Sequence, residues 1–325
     1  MPSLKRRTLF GGALALPALL SYPTRANTFP SRAVRLVVPF TPGGATDSSA
    51  RVIADFLSQR YGTPVVVENR PGASGAIGAE YVARSAPDGH TWLIAAAFPL
   101  ATGSLLNPKL PYDPKRDLAP VSMVFTTDHV MTVNDAVKAR DLTSFIAEAR
   151  ARREPLRYGS PGIGTSHHLI GEMLRLRTGL DLVHIPYRGS AAAVTDQLGG
   201  TIELMFDQLQ TSLPHIRSGN VHAVAVTGTK RNANLPDVPA ISEILPDFEA
   251  QSWNAVAVHA GTPVSLVERI SADIRDALND PAAKAKLAPL GADYSASTPA
   301  EMGAVIQAEV ERWAPVIRDA GITMN

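Results

Sequence analysis

The stretch Leu36-Val37-Val38-Pro39-Phe40-Thr41-Pro42-Gly43-Gly44-Ala45-Thr46-Asp47 constrains this chain more than any other. Its β-branched apolar run predicts a buried strand, its Pro/Gly cluster a tight loop, and Ser48 to Leu57 the helix that follows. Pro42 has no backbone donor, whereas Gly43 and Gly44 let the chain turn sharply and bring bare amides toward a ligand. Amides at a helix N-terminus, with the positive end of the dipole behind them, hold an anion without help from Lys or Arg. A second copy of this pattern stands at Leu156-Arg157-Tyr158-Gly159-Ser160-Pro161-Gly162-Ile163-Gly164-Thr165-Ser166-His167-His168-Leu169, with a helix running on to about Arg177. Glycines in one such turn are often purely structural, but two such loops facing each other predict a cleft lined with amides.

Lys5-Arg6-Arg7, the apolar stretch Leu9 to Leu20 and the small residues Thr24 and Ala26 read as an export signal cleaved near Ala26. Arg6-Arg7 is twin-arginine-like, a feature that basic Sec signals share, and either route predicts a periplasmic protein. The chain has 31 Lys and Arg against 30 Asp and Glu, a formal charge of +1. Residues 1–26 contain Lys5, Arg6, Arg7 and Arg25 and no acid, so the remainder carries about −3, which argues against nucleic acid as a partner. The absence of cysteine removes disulfides, thiol nucleophiles and a lipid-anchored N-terminus together.

Strand-like and helix-like runs then alternate: Val34–Val38, a helix to Arg60, Pro64–Glu68, a helix over about 76–85, and Trp92–Ala96. Such alternation predicts an α/β fold whose parallel sheet carries helices on both faces and binds ligands at the carboxyl ends of its strands. Beyond the proline-rich connection Pro108–Pro114, separate strands are expected at Val121–Phe125 and His129–Val133. The βα alternation then restarts with Phe145–Arg153, Leu156–Tyr158, Ser166–Arg177, Leu182–Ile185, Ala191–Leu198 and Ile202–Phe206. A domain crossing is expected near Thr127-Asp128, and after about residue 250 a strand at Trp253–Val258 and helices opening on Pro263, Pro281 and Pro299 return to the first lobe. The expected lobes are therefore residues 27–127 with 251–325, and residues 128–250, with two crossings as a hinge.

Candidate chemistry is sparse. His168 and Glu172 stand one helical turn apart, a metal-compatible spacing with no third ligand in view, so a polar helix start is the better reading. Ser160, Ser166 and the histidines invite a hydrolase reading, but no Gly-x-Ser-x-Gly elbow is present. Tyr187 and Arg188, at a third strand-loop-helix junction, reach into the cleft or form a solvated turn. Asp207, at the end of another strand, holds an amino group or a water, or caps the helix that begins near Thr211, with capping or loop bracing the better reading. Phe98 supplies an apolar wall or joins the core.

Val38 to Asp47, Val67 to Ala73, Pro111 to Pro114, Tyr158 to Leu169, Ile185 to Gly189, Met205-Phe206-Asp207, Leu235 to Pro239 and Ala260 to Pro263 occur together in this order. With them the chain resembles the Bug-type substrate-binding proteins of tripartite tricarboxylate transporters. The resemblance implies a type II periplasmic-binding-protein fold, two doubly wound α/β lobes with a hinge and a central ligand cleft. It implies a monomer that captures a small carboxylate and delivers it to large and small membrane subunits, with no cofactor, no metal and no catalysis. By position, the carboxylate clamp falls to Phe40, Thr41, Gly43 and Gly44 from one loop and to Ser160, Gly164 and Thr165 from the other, partly through ordered waters. Asp207 corresponds to the residue that contacts or braces the distal part of the ligand. Trp253-Asn254-Ala255, Ala97 to Ala101 and Arg188 depart from the usual pattern and leave the ligand open among dicarboxylates, aromatic acids, amino acids and tricarboxylates. A periplasmic ligand sensor and a cleft hydrolase are the alternatives.

Overall fold

The structure, a computed structural model, describes residues 29–324, so the export signal expected at 1–26 lies outside it. In chain order the elements are β1 (Val34–Val38), α1 (Ala45–Tyr61), β2 (Val65–Asn69), α2 (Ala76–Ala83), β3 (Thr91–Ala95), a π-turn (Phe98–Thr102), α3 (Gly103–Leu106) and α4 (Pro114–Asp117). There follow β4 (Leu118–Val133), α5 (Leu142–Ala151), β5 (Leu156–Ser160), α6 (Ser166–Thr178), β6 (Leu182–Pro186), α7 (Ser190–Leu198), β7 (Leu204–Gln208), α8 (Leu209–Arg217) and β8 (His222–Val226). The chain closes with β9 (Gln251–His259), α9 (Val264–Asn279), α10 (Pro281–Leu287), β10 (Asp293–Tyr294) and α11 (Pro299–Asp319).

The strands follow the order β2-β1-β3-β9-β4-β7-β5-β6, with β8 and β10 also paired to β4. β1 is parallel to β2 and β3, and β5 is parallel to β6 and β7. β9 and β4 run antiparallel between these two parallel sets. The two strands expected at 121–125 and 129–133 are one continuous strand, β4. Asp128 does not break it, because its carboxylate accepts from Asn232 Nδ2 at 2.8 Å and Gln251 Nε2 at 3.0 Å while the backbone pairs with Gln251. What changes is the partner: β9 from Leu118 to Asp128, then β7 from His129 onward.

Alternation along each strand buries both faces of the sheet. Leu36, Val38, Trp92 and Ile94 face one core with Ile53 and Leu57 of α1 and Ile270 and Ile274 of α9. Val37 and Leu93 face the other with Ala79 and Val82 of α2. In the second parallel set, Tyr158 and Phe206 pack on Leu169, Ile170 and Leu174 of α6, while Met205 packs on Ala193 and Val194 of α7. Each crossover helix is thereby pinned to its strand, and the strand-to-helix loops are left free to gather at the carboxyl ends.

Candidate functional site

The loops after β1, β3, β5, β6 and β7 meet around a cavity with about 570 Å³ of space unoccupied by protein atoms, its open mouth included. Four helices begin at its wall: α1 after Gly44, α6 after Thr165, α7 after Gly189 and α8 after Gln208. Among the described residues none has a side-chain cap, nor have α2, α3 and α9, whereas Asp113, Asp141, Asp280 and Thr298 cap α4, α5, α10 and α11. First-turn N–H groups have no partner inside a helix, so four helix starts leave donors available at one cavity. Among the described residues no lysine or arginine lines it.

Five of the ten residues expected to touch ligand lie in the cavity wall: Phe40, Thr41, Gly44, Phe98 and Thr165. The structure places the other five behind it. Gly43, at φ 95°, donates its amide to Asp47 Oδ2 at 3.1 Å, and Gly164, at φ 77°, donates its amide to His168 Nδ1 at 3.0 Å. The two loops therefore share one device, a glycine amide tied to a side chain four residues on in the first turn of the helix. Both amides are thus occupied within their own loops. Ser160 Oγ accepts from the Gly162 amide at 3.1 Å and lies 2.6 Å from His184 Nε2, under the loop rather than in it. Tyr187 donates its hydroxyl to Asp196 at 2.7 Å and lays its ring beside Gly159, while Arg188 is exposed. Asp207 is fully buried, and its Oδ1 accepts from Ser190 Oγ at 3.0 Å and the Gln208 amide at 2.9 Å, with His167 Nε2 at 3.0 Å.

The side chains that fix the loops explain their own charge states. Burial acts to raise Asp47, but hydrogen bonds from Arg51, Asn69 and the Gly43 amide outweigh it and hold the carboxyl below its ordinary value. Burial pushes His168 down to about 4, against the pull of Glu172. Burial, with His168 stacked 3.8 Å away, pushes His184 to about 2. The helical pair His168 and Glu172 is spent internally, His168 on Gly164 and Glu172 on the Tyr158 hydroxyl at 2.8 Å and Arg175 at 2.7 Å. No cluster of three metal-ligating side chains occurs among the described residues.

Wall residues outside the sequence expectation include Thr46, Ser166, His167, Ser190 and Gln208. All five stand at or next to a helix start that follows a strand, and that position is the signal that could have found them. The two walls also meet without a gap. A Cβ on Gly189 would lie 2.4 Å from Thr41 Oγ1, one on Gly162 2.5 Å from Ser74 Oγ, and one on Gly164 2.2 Å from Leu106 and 2.8 Å from Phe98.

The family model described as the tripartite tricarboxylate transporter family receptor matches residues 49–322. Protein BugT of Bordetella pertussis (strain Tohama I) is 38% identical over 316 residues, which span 97% of each chain. The structure titled R. palustris Rpa4515 with adipate aligns with a TM-score of 0.87 and 35% identity, over 91% of this chain and 99% of that one. MatC (Rpa3494) from Rhodopseudomonas palustris with bound malate aligns with a TM-score of 0.84 and 30% identity, over 89% of this chain and 100% of that one. Fold, loop order and sequence agree, and the chain belongs to the tripartite tricarboxylate transporter receptor family, the Bug-type periplasmic binding proteins.

Proposed function

We propose that this protein captures a small organic acid between two lobes and hands it to the membrane subunits of a tripartite tricarboxylate-type transporter, without chemical change. The observation that carries the reading is the meeting of four uncapped helix N-termini at a cavity that no lysine or arginine lines among the described residues. Such a site recognises a carboxylate through amides and helix dipoles. In this reading the amides of the α1 first turn, with Thr41 and Gly44, face those of the α6 first turn, with Thr165. Phe40 and Phe98 cover the apolar part of the acid. Charge-assisted hydrogen bonds are worth roughly 1.5–3 kcal/mol each, and micromolar capture needs about 8 kcal/mol net, so several bonds on one carboxylate with apolar burial suffice. Solved relatives with adipate and with malate agree with a small-acid ligand.

Residues up to 127 with those from 251 form one moving lobe in this proposal, and 128–250 form the other, hinged where β4 changes partners. The protein works as an exported monomer, and no helix among the described residues is long and apolar enough to cross a membrane. A relay through Ser190 is disfavoured because Asp207 and Ser190 both approach the same nitrogen, His167 Nε2, at 3.0 and 3.4 Å, and the hydroxyl on the opposite nitrogen, Ser166 Oγ, stands 3.5 Å from Nδ1, at the outer limit of a hydrogen bond. A relay needs the carboxylate and the hydroxyl on opposite ring nitrogens.

A thermal-shift screen of the protein from Asn27, freed of carried-over ligand by unfolding and refolding, tests the reading against mono-, di- and tricarboxylates, aromatic acids and amino acids. An acid at about a thousand times its dissociation constant should stabilise by roughly 4 kcal/mol, several degrees in melting temperature. Its amide should give no shift. Absence of a shift with every acid overturns the proposal.

A further inference from the structure

Among the described residues the cavity wall holds two titratable side chains, Asp47 and His167. Asp47 is committed to its own loop, accepting from Arg51 Nε and Nη2 at 3.0 Å each, Asn69 Nδ2 at 2.8 Å and the Gly43 amide. His167 is held from behind. Its Nε2 lies 3.0 Å from Oδ1 of Asp207, an acceptor that already receives Ser190 Oγ–H and Gln208 N–H, so Nε2 carries the ring proton. The other nitrogen, Nδ1, has among the described residues only the Ser166 hydroxyl at 3.5 Å.

Asp207 is wholly buried and its Oδ2 has no hydrogen-bond partner among the described residues. A carboxylate in that setting is costly unless a cation pairs with it. Among the described residues the His167 ring is the group in salt-bridge range, and in the free protein its Nε2–H offers Oδ1 a neutral donor rather than a full counter-charge. On its other side the ring meets His129 edge-on at 4.7 Å. Burial first, then the nearness of His167, holds His129 well below its ordinary value, so His129 stays neutral. Across the cavity stands the Asp47–Arg51 pair, which is self-compensated. His167 is thus the base at this cavity that is free to take a proton when a second anion arrives.

We propose that His167 is the positive partner of the ligand's carboxylate, that Asp207 and Ser190 position it for that task, and that capture of the acid draws one proton from solvent onto His167 Nδ1. The inference rests on the carboxylate-receptor reading above. No bond of the ligand changes: the proton leaves bulk water or buffer, lodges on Nδ1, and completes a row of carboxylate, imidazolium and ligand carboxylate. Affinity should then fall as pH rises, by up to about tenfold per pH unit where the free ring is neutral and the bound ring charged. Asp47 is already ionised and does not contribute to this slope.

Calorimetry with malate, adipate and benzoate, in phosphate and in Tris between pH 6.5 and 8, counts the protons taken up per ligand bound. Wild type should take up as much as one. His167→Gln should take up none, bind at least about tenfold more weakly at pH 6.5 and lose its pH dependence. The double variant His167→Gln with Asp207→Asn, which strands no buried charge, should behave as the single one does. No uptake in wild type, or uptake that persists in both variants, overturns the proposal. If none of these acids binds, nitrogen-15 NMR of the histidine rings in the unliganded protein decides it. A His167 that gives up its proton at clearly lower pH in Asp207→Asn than in wild type supports the assignment, and the same titration in both overturns it.

Discussion

Gly189 is a residue whose missing methyl group lets the two walls of the cleft meet. Its φ of 167° is extended backbone open to any residue, so alanine fits the local chain. A Cβ there would nevertheless fall 2.4 Å from Thr41 Oγ1 on the opposite wall, closer than non-bonded atoms come. Gly162 and Gly164 make similar approaches, but at φ 143° and 77°, where a side chain also strains the backbone. Gly189→Ala therefore isolates closure from folding. It should melt close to wild type and bind the acid at least about tenfold more weakly, a loss of about 1.4 kcal/mol. X-ray scattering with the acid present should show a larger radius of gyration than wild type. Unchanged affinity together with unchanged compaction would mean that Thr41 moves aside and that the seat does not govern closure.

At the level of the element, the missing caps of α1 and α6 are what leave amides for a ligand. Gly44, the N-cap of α1, sits at φ −81° and ψ 170°, in the region natural to a capping Asp, and a Cβ on it would meet nothing within 4 Å. Gly44→Asp should give α1 its cap, keep or raise stability by a few tenths of a kcal/mol, and abolish acid binding by setting a fixed carboxylate where the ligand's belongs. Retained binding would sink the assignment of the α1 amides. The strand, glycine loop and helix start were legible at both loops because β-branched runs and Gly/Pro clusters are local signals. The amides of Gly43 and Gly164 look free in the sequence, and only the folded turn ties them to Asp47 and His168. β4 read as two strands because Asp128 resembles a break, and the groups that satisfy it, Asn232 and Gln251, lie more than a hundred residues away. The helix-start positions of His167, Ser190 and Gln208 are local signals, but their meeting depends on the convergence of three loops, which no local pattern encodes.

For the molecule as a whole, three desolvated histidines, His129 and His168 buried and His184 half-buried, tie stability to pH. Burial holds His168 at about 4, burial with His168 beside it holds His184 at about 2, and burial keeps His129 well below its ordinary value. In the unfolded chain all three titrate near 6.5, so below that pH the unfolded state binds more protons and stability falls. The contribution is fully present above about pH 6.5. It is lost at roughly 1.4 kcal/mol per pH unit for each histidine as pH drops, ending near pH 4 for His168 and continuing below it for His184. Asp47 and Glu203, both held below the ordinary carboxylate value, add their loss only at lower pH, so the decline between pH 6.5 and 4.5 belongs to the histidines. Urea midpoints at pH 7, 5.5 and 4.5 should fall steadily for wild type and less steeply for His184→Gln, whose amide can still meet Ser160. Identical slopes would remove His184 from this account. The bound acid works in the opposite sense, because a ligand that takes up a proton binds more tightly as pH falls. The melting temperature of the acid-bound protein should therefore decline less between pH 7 and 5.5 than that of the free protein, and His167→Gln should erase that difference while leaving the free protein's decline in place.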